Sequence, residues 1–418
     1  MSDLLKILVL AETVDPNGSS AGQANYAFIQ ALVKEDFKVA VLHYSHKEIA
    51  ISGALNVEKI KENRSGLFFF LSRAQRVLQR WTGLNFSKHL ENLFGFSFTF
   101  WNDAESMVRR LQKESESDYD ILLTLSKGAS YRTHYATLKL PRWHSKWLAY
   151  IHDPYPFHWY PKPYDWKEPG ARQKEKFILL VATQARWLGY PSEMLKQWMA
   201  QFENKFQSKA LVLPHQPLKL DNQTANVESI LSGNCFSLMH AGNLLGYRDP
   251  FPLIRAFVRF LEKHQSARDH SKLVLLGPSD YHEPALTRYV EGEENIYKSD
   301  GYVSQEIVAS LQKLVSVNIV IEAKSDTSPF LPAKLPNLIY AYKTILHLGP
   351  EKSETRRLLK NDYPYSCEVD NEDKILAIIE ILYGTWISNP AALFLNREDL
   401  KTYFSSRELS HTIKDKIA

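Results

Sequence analysis

Arg248 is the first residue to weigh, because its neighbours would set a guanidinium in a loop suited to an anion. The apolar run 236–240 reads as a buried strand, and from Phe251 onward Leu253, Ile254, Phe257, Val258 and Leu261 recur at helical spacing. A loop joining such a strand to such a helix lies at the carboxyl end of a sheet strand. There, free N–H groups and the helix dipole attract negative charge. The chemistry on offer is the holding of a phosphate or diphosphate. A solvated arginine at an ordinary strand-to-helix corner fits the same residues, so this stretch alone leaves both readings open.

A second candidate is His152-Asp153, at the exit of the apolar run 147–151. Histidine there could position a substrate or move a proton, and it could equally be a structural hydrogen bonder. The following segment, 154–166, contains four prolines and the rings of Tyr155, Phe157, Trp159, Tyr160, Tyr164 and Trp166. Regular structure is excluded. A ring-rich loop at a strand exit suits lining a cleft and stacking against sugar faces, with Asp153, Tyr155 and Trp159 as its candidate contacts; a proline-stiffened structural loop is the rival reading.

These side chains need a scaffold. A chain of 418 residues with 44% hydrophobic content can bury a large core and suggests two or three domains. Its 51 basic and 47 acidic residues leave a formal charge of +4, too slight to argue for nucleic acid. Cys235 and Cys367 lack metal-ligand spacing and form no disulfide framework, which fits a reducing compartment, with the cytoplasm as the expectation. The apolar start at 4–11 is too short to span a membrane and has no basic leader. It reads as a first strand.

Strand 6–10, loop 11–21, helix 23–34 and strand 38–43 form a βαβ start and predict a parallel sheet covered by helices. The loop carries Gly18, Ser19 and Ser20 but no GxGxxG, which disfavours a nicotinamide site. Further strands are expected at 120–125, 147–151, 177–183, 210–215, 272–276 and 317–322. Helices are expected at 71–80, 104–113, 304–314 with Ser304 as N-cap, 374–382 and along the tail from 398. Between 64 and 110 the pattern changes. Phe68, Phe69, Phe70, Trp81, Phe86, Phe94 and Trp101 alternate with Arg64, Arg73, Arg76, Arg80 and Lys88. Such a mixture suits peripheral membrane contact, and it equally suits rings packed as core.

Gly242-Asn243-Leu244, Arg248 and Leu253-Ile254-Arg255-Ala256-Phe257 resemble the "GRL…K…LI.AF" signature opening the donor domain of GT-B glycosyltransferases of the retaining family 4 type. Asn243 stands where that family usually has arginine. Residues 328–346, SPFLPAKLPNLIYAYKTIL, resemble the family's "SPFLPGKLYEYLAAGKPVL" donor-site helix. The E-x7-E carboxylates of the family are missing: Asn337 takes the second place and Ser328 or Pro329 the first. An asparagine still accepts a hydrogen bond from a ribose hydroxyl, without charge, at a loss of about 1 kcal/mol per contact.

The resemblance implies an α/β fold of two Rossmann-like, doubly wound parallel-sheet domains facing across a cleft. It implies an acceptor-side domain at 1–215, a linker at 216–234, a donor domain at 235–396 and a final helix, 397–418, returning to the first domain. Donor contacts would come from Gly18, Ser19, Ser20, Asn243, Arg248, Gly277, Gly301, Tyr302, Val303, Lys334, Leu335 and Asn337. His152, Arg248 and Lys334 would be catalytic. The implied activity is retaining transfer of a hexose-type unit from a nucleotide-diphosphate sugar such as a UDP-sugar, with no metal or other cofactor. The acceptor would be a glycan or lipid-linked glycan, as in bacterial surface polysaccharide or glycoconjugate synthesis. A degenerate, non-catalytic binding partner and a sugar-nucleotide epimerase are the alternatives; the carboxylates an epimerase needs have no evident place in the sequence.

Overall fold

The computed structural model describes residues 4–83, 86–219, 227–231 and 233–417, with the side chains of Phe86 and Ser87 outside that description. Asp221, Asn222, Gln223 and Thr224 of the expected linker also lie outside the described residues.

Among the described residues, two sheets form, and every pairing in them is parallel. The first comprises β1 (Lys6–Ala11), β2 (Lys38–His43), β3 (Asn56–Lys59), β4 (Ile121–Leu125), β5 (Trp147–Tyr150), β6 (Trp187–Tyr190) and β7 (Ala210–Val212). Its order is β3-β2-β1-β4-β5-β6-β7. The second comprises β8 (Phe236–Ala241), β9 (Ser271–Leu276), β10 (Ile296–Lys298), β11 (Val317–Ile321), β12 (Thr344–Leu348) and β13 (Ser366–Cys367). It runs β10-β9-β8-β11-β12-β13.

Central strands such as ILLTL of β4 and VNIVI of β11 are buried along their whole length, as expected for strands covered by helices on both faces. In each sheet the order reverses beside the first strand, between β1 and β4 and between β8 and β11. Ligands of doubly wound sheets bind outside the carboxyl ends of the strands at such a reversal. The doubly wound, Rossmann-like expectation is met in both halves.

By their contacts the residues separate into two compact units. One is Met1–Tyr160, Tyr164–Leu218 and Phe404–Ala418; the other is Pro161–Pro163 and Lys219–Tyr403. The helix Ser406–Ile417 puts Leu409 and Ile413 into the same apolar cluster as Phe28 and Leu32. In the second unit, helix Phe251–Lys263 buries Leu253, Ile254, Phe257, Phe260 and Leu261 against Phe236 and Leu238 of β8 and against Ile375, Ile379 and Leu382. Each such side chain contributes about 1.5–3 kcal/mol of burial. Together they fix this helix and β8, the elements on either side of the loop that carries Arg248.

The expected strand at 177–183 is a helix, Ala171–Gln184. Phe177, Ile178, Val181 and Ala182 are buried while Leu180 is 52% exposed, a one-sided pattern at helical spacing hidden inside a short apolar run. The strand comes afterwards, as β6. The segment 64–110 also yields longer helices than expected, Leu67–Thr82 and Phe98–Leu111.

Candidate functional site

In the second unit, loops after consecutive strands are stitched together at their carboxyl ends. The Gly242 N–H donates to the Leu276 carbonyl at 2.8 Å and the Leu244 N–H to that of Pro278 at 3.0 Å. The Gly277 N–H donates to Ser299 Oγ at 2.9 Å, and Ser299 in turn donates to the Gly301 carbonyl at 2.9 Å. Gly277 has φ +120°, and a Cβ there would lie 2.7 Å from the Gly242 oxygen. Only glycine lets these two turns approach so closely. The sequence-selected residues Gly242, Asn243, Gly277 and Gly301 thus share one rim. Tyr302 stands 75% exposed on it, and Val303 packs partly inward.

Lys334 reaches into this rim from the loop before helix Leu335–Tyr340. Its Nζ donates to the Ala241 carbonyl at 3.0 Å and lies 3.3 Å from both ring nitrogens of His240. A Cβ on Gly242 would stand 3.0 Å from that Nζ. Burial of the ammonium, then the nearby positive charge of Arg248, hold the Lys334 pKa well below the ordinary lysine value, while Glu322 pulls the other way. His240 is fully buried, with Nδ1 3.2 Å from the Ile319 carbonyl. Burial, Lys334 and Arg248 in turn keep it neutral. Arg248 is half-buried, with one guanidinium nitrogen 3.4 Å from the Asn243 carbonyl. Among the described residues, no carboxylate forms an ion pair with Lys334 or Arg248. Two cations that repel each other around a neutral histidine leave a place for an anion.

Two expectations from the sequence change. The Leu335 N–H already donates to the Pro332 carbonyl at 2.9 Å, and Pro336 has no N–H, so the backbone at Leu335, named above as a donor contact, is spent internally. The amino end of helix Phe251–Lys263 is occupied by its own Asp249, whose carboxylate accepts from the Phe251 N–H at 2.8 Å. Anion affinity therefore rests on side chains more than on helix ends. Asn337, at the third position of helix Leu335–Tyr340, is half-buried, and its carbonyl accepts from the Ala341 N–H at 2.9 Å.

His240 and Glu322 escaped the sequence reading. Glu322 follows β11 at the sheet reversal and is buried, with Oε1 3.0 Å from His347 Nε2. His347 Nδ1 lies 2.7 Å from Ser366 Oγ. Burial alone would raise the Glu322 pKa; the His347 hydrogen bond and charge outweigh it and keep the carboxylate ionised. A signal was available: both His240 and His347 interrupt otherwise apolar strands, where a polar residue needs a partner.

The first unit offers different chemistry. Asn25 ties the loops after β1 and β4 together, donating to the Thr13 carbonyl at 2.9 Å and to that of Ser126 at 3.1 Å. Glu12, after β1, is satisfied by Ser130 Oγ at 2.5 Å and by the Arg132 N–H at 2.8 Å and guanidinium at 3.1 Å. Ser19 caps helix Ser20–Lys34, accepting from the Gly22 N–H at 3.2 Å, and Gly18 packs against Asp15.

His152, just past β5, is buried. Its ring lies edge-on to Tyr150 at 4.6 Å and parallel to His215 at 6.1 Å, and among the described residues Nε2 has no hydrogen-bond partner. Burial, then His215 and His134, hold it neutral. Asp153 accepts at its carbonyl from Tyr131 at 2.5 Å. Tyr155 and Trp159 are only 3% and 6% exposed, packed on Tyr131 and Phe202 respectively. Their rings shape the strand exit from inside the core and have little face left for a sugar.

No protein-family model and no curated protein matches the sequence. Solved structures do match along its whole length. HepE from Anabaena, solved in complex with UDP and glucose, superposes with a TM-score of 0.65 at 12% identity, covering 99% of each chain. A UDP-forming trehalose-phosphate synthase from Burkholderia xenovorans gives 0.61 at 10% identity, with 99% of each chain covered. A glycosyltransferase from Rickettsia africae gives 0.57 at 13%, covering 100% of this chain and 95% of its own. The chain has the GT-B fold. Identities this low establish the fold alone. Within the GT-B architecture, the rim formed by Gly242, Gly277 and Lys334 stands at the sheet reversal of the second Rossmann-like unit.

Proposed function

We propose that the chain is a glycosyltransferase that binds a nucleotide-diphosphate sugar, specifically a UDP-sugar, in its second unit and transfers the hexose with retention to a glycan or lipid-linked acceptor. The observation that carries this reading is the convergence of Lys334 and Arg248 at the strand ends around neutral His240, with no carboxylate ion-paired to either among the described residues. A diphosphate would relieve their repulsion in the ground state. As the bond to the sugar breaks, charge accumulates on that same group, so the two cations stabilise the transition state most. This electrostatic role is the one a divalent ion would otherwise fill, and the reading asks for none.

Tyr302 offers an exposed ring on the same rim for a nucleobase, and Asn337 an uncharged acceptor for ribose. In the first unit, His152 is the proposed sugar-positioning residue, since its unpartnered Nε2 is a hydrogen-bonding site with no protein neighbour to satisfy it. That HepE binds UDP and glucose, on the same fold, favours uridine among the nucleotides. The test is a thermal-shift and calorimetric screen of UDP-, GDP- and ADP-sugars, followed by assay of UDP release. Stabilisation by UDP or a UDP-sugar, lost in Lys334→Ala, is expected. Silence toward every nucleotide would overturn the reading.

A further inference from the structure

The helix Leu67–Thr82 turns its apolar stripe away from the unit that carries it. Its buried residues are Phe69 and Ser72. With residues advancing about 100° each, Leu67, Phe70, Ala74, Val77, Leu78 and Trp81 fall within an arc of about 100°. All six are exposed, Trp81 at 83% and Leu67 at 69%. A stripe of this kind usually faces a core; left in water and contiguous, it marks a docking surface.

Charge identifies what docks. Arg73 and Arg80 flank one edge of the stripe, Arg76 lies further round toward the buried side, and among the described residues none of the three has a carboxylate partner. Arg73 lies 4.5 Å over the Phe69 ring, and Arg76 donates to the Ser72 carbonyl at 3.2 Å. From 62 to 94 the basic residues are Arg64, already 3.3 Å from Glu62, and Arg73, Arg76, Arg80 and Lys88, whereas the acidic residues are Glu62 and Glu91, the latter 3.4 Å from Lys174. A second copy would set arginines against arginines. A bilayer with anionic headgroups neutralises them while taking the rings to headgroup depth.

We infer that helix Leu67–Thr82 lies in the plane of an anionic membrane surface, with Leu67, Phe70, Leu78 and Trp81 inserted and the arginines at the phosphates. Among the described residues, no helix is long and apolar enough to cross a membrane, so the contact is a surface one. The inference stands on this helix and does not depend on the donor-site reading.

Flotation of the full chain with phosphatidylcholine vesicles, with and without phosphatidylglycerol, tests it. Binding should be at least ~10-fold stronger with the anionic lipid and should weaken as salt is raised. Phe70→Ser/Trp81→Ser and Arg73→Gln/Arg76→Gln/Arg80→Gln should each lose at least ~10-fold. These exposed positions should leave melting temperature and UDP binding as in the parent chain. Absence of flotation with phosphatidylglycerol at low salt overturns the proposal. So does a parent chain that is dimeric in solution and becomes monomeric in Phe70→Ser/Trp81→Ser, which would assign the stripe to a second copy.

Discussion

The two sheet reversals are built alike and charged differently. At the second, Lys334 and Arg248 present unpaired positive charge around neutral His240. At the first, the carboxylate of Glu12 is engaged by Ser130 and Arg132, and the histidines His134, His152 and His215 are buried and neutral. The topology is the same and the charge is not: basic side chains without an ion-pair partner among the described residues mark the second reversal, and an engaged carboxylate with neutral histidines marks the first. Where chain topology repeats, side chains alone decide what each end of the sheet can do.

The sharpest way to break this contrast is to remove its charge. Lys334→Ala and Arg248→Ala should each lower turnover by ~100-fold or more, because both act on charge that develops in the transition state. His152→Ala should lower turnover while leaving UDP affinity unchanged, since it holds no part of the diphosphate. Steady-state rates alongside calorimetric UDP binding separate the two classes. Near-normal turnover in both cation variants would mean that the anion site lies elsewhere.

A second test addresses the neutral half. Burial holds the His215 pKa down at about 4 and that of His134 at about 3, against 6.5 in the unfolded chain. Between these values the unfolded chain takes up a proton that the folded one refuses. Stability is therefore full above pH 6.5 and falls as pH drops toward 4. The loss for His215 is on the order of 3 kcal/mol. Denaturation midpoints at pH 7 and pH 4 should differ less in His215→Gln than in the parent; an unchanged difference would mean that the ring is not held neutral.

Much of this was legible in the sequence. Arg248 and Lys334 were selected from local strand-loop-helix patterns and a motif resemblance, and their loops do meet, because both follow or precede strands of one parallel sheet. Less legible was anything decided by distant partners. That Leu335 spends its N–H on Pro332, or that Glu322 meets His347 across 25 residues, depends on turns and pairings that no local pattern encodes. The reading of 177–183 as a strand failed for a related reason. Six consecutive apolar residues fit either period, and only exposure of Leu180 shows which side was left to water.

A third test turns on the cost of keeping a cation enclosed. Because Lys334 holds its proton less tightly when folded than when unfolded, the unfolded state binds more protons over the interval between the two pKa values. Stability rises with pH there. Lys334→Met removes the penalty and should raise the melting temperature of the ligand-free protein at pH 7 by a few degrees, while abolishing the further rise on adding UDP. In the parent, UDP binding should draw a proton from buffer above the lowered pKa, and affinity should fall as pH rises. A Lys334→Met protein that melts lower than the parent would show that the ammonium is stabilised by its neighbours, and the idea of a waiting cation would go with it.

The smallest effect separates a cap from a ligand contact in the first unit. Ser19 was selected for the donor, yet its hydroxyl already accepts from the Gly22 N–H and terminates helix Ser20–Lys34. If capping is its whole role, Ser19→Ala should cost ~1 kcal/mol of stability and leave UDP affinity unchanged, and Ser19→Asp should restore the stability. A carboxylate beside a bound diphosphate would repel it. Loss of UDP affinity in Ser19→Asp with stability intact would therefore mean that this loop does more than cap its helix, and the first unit would no longer stand as the uncharged member of the contrast.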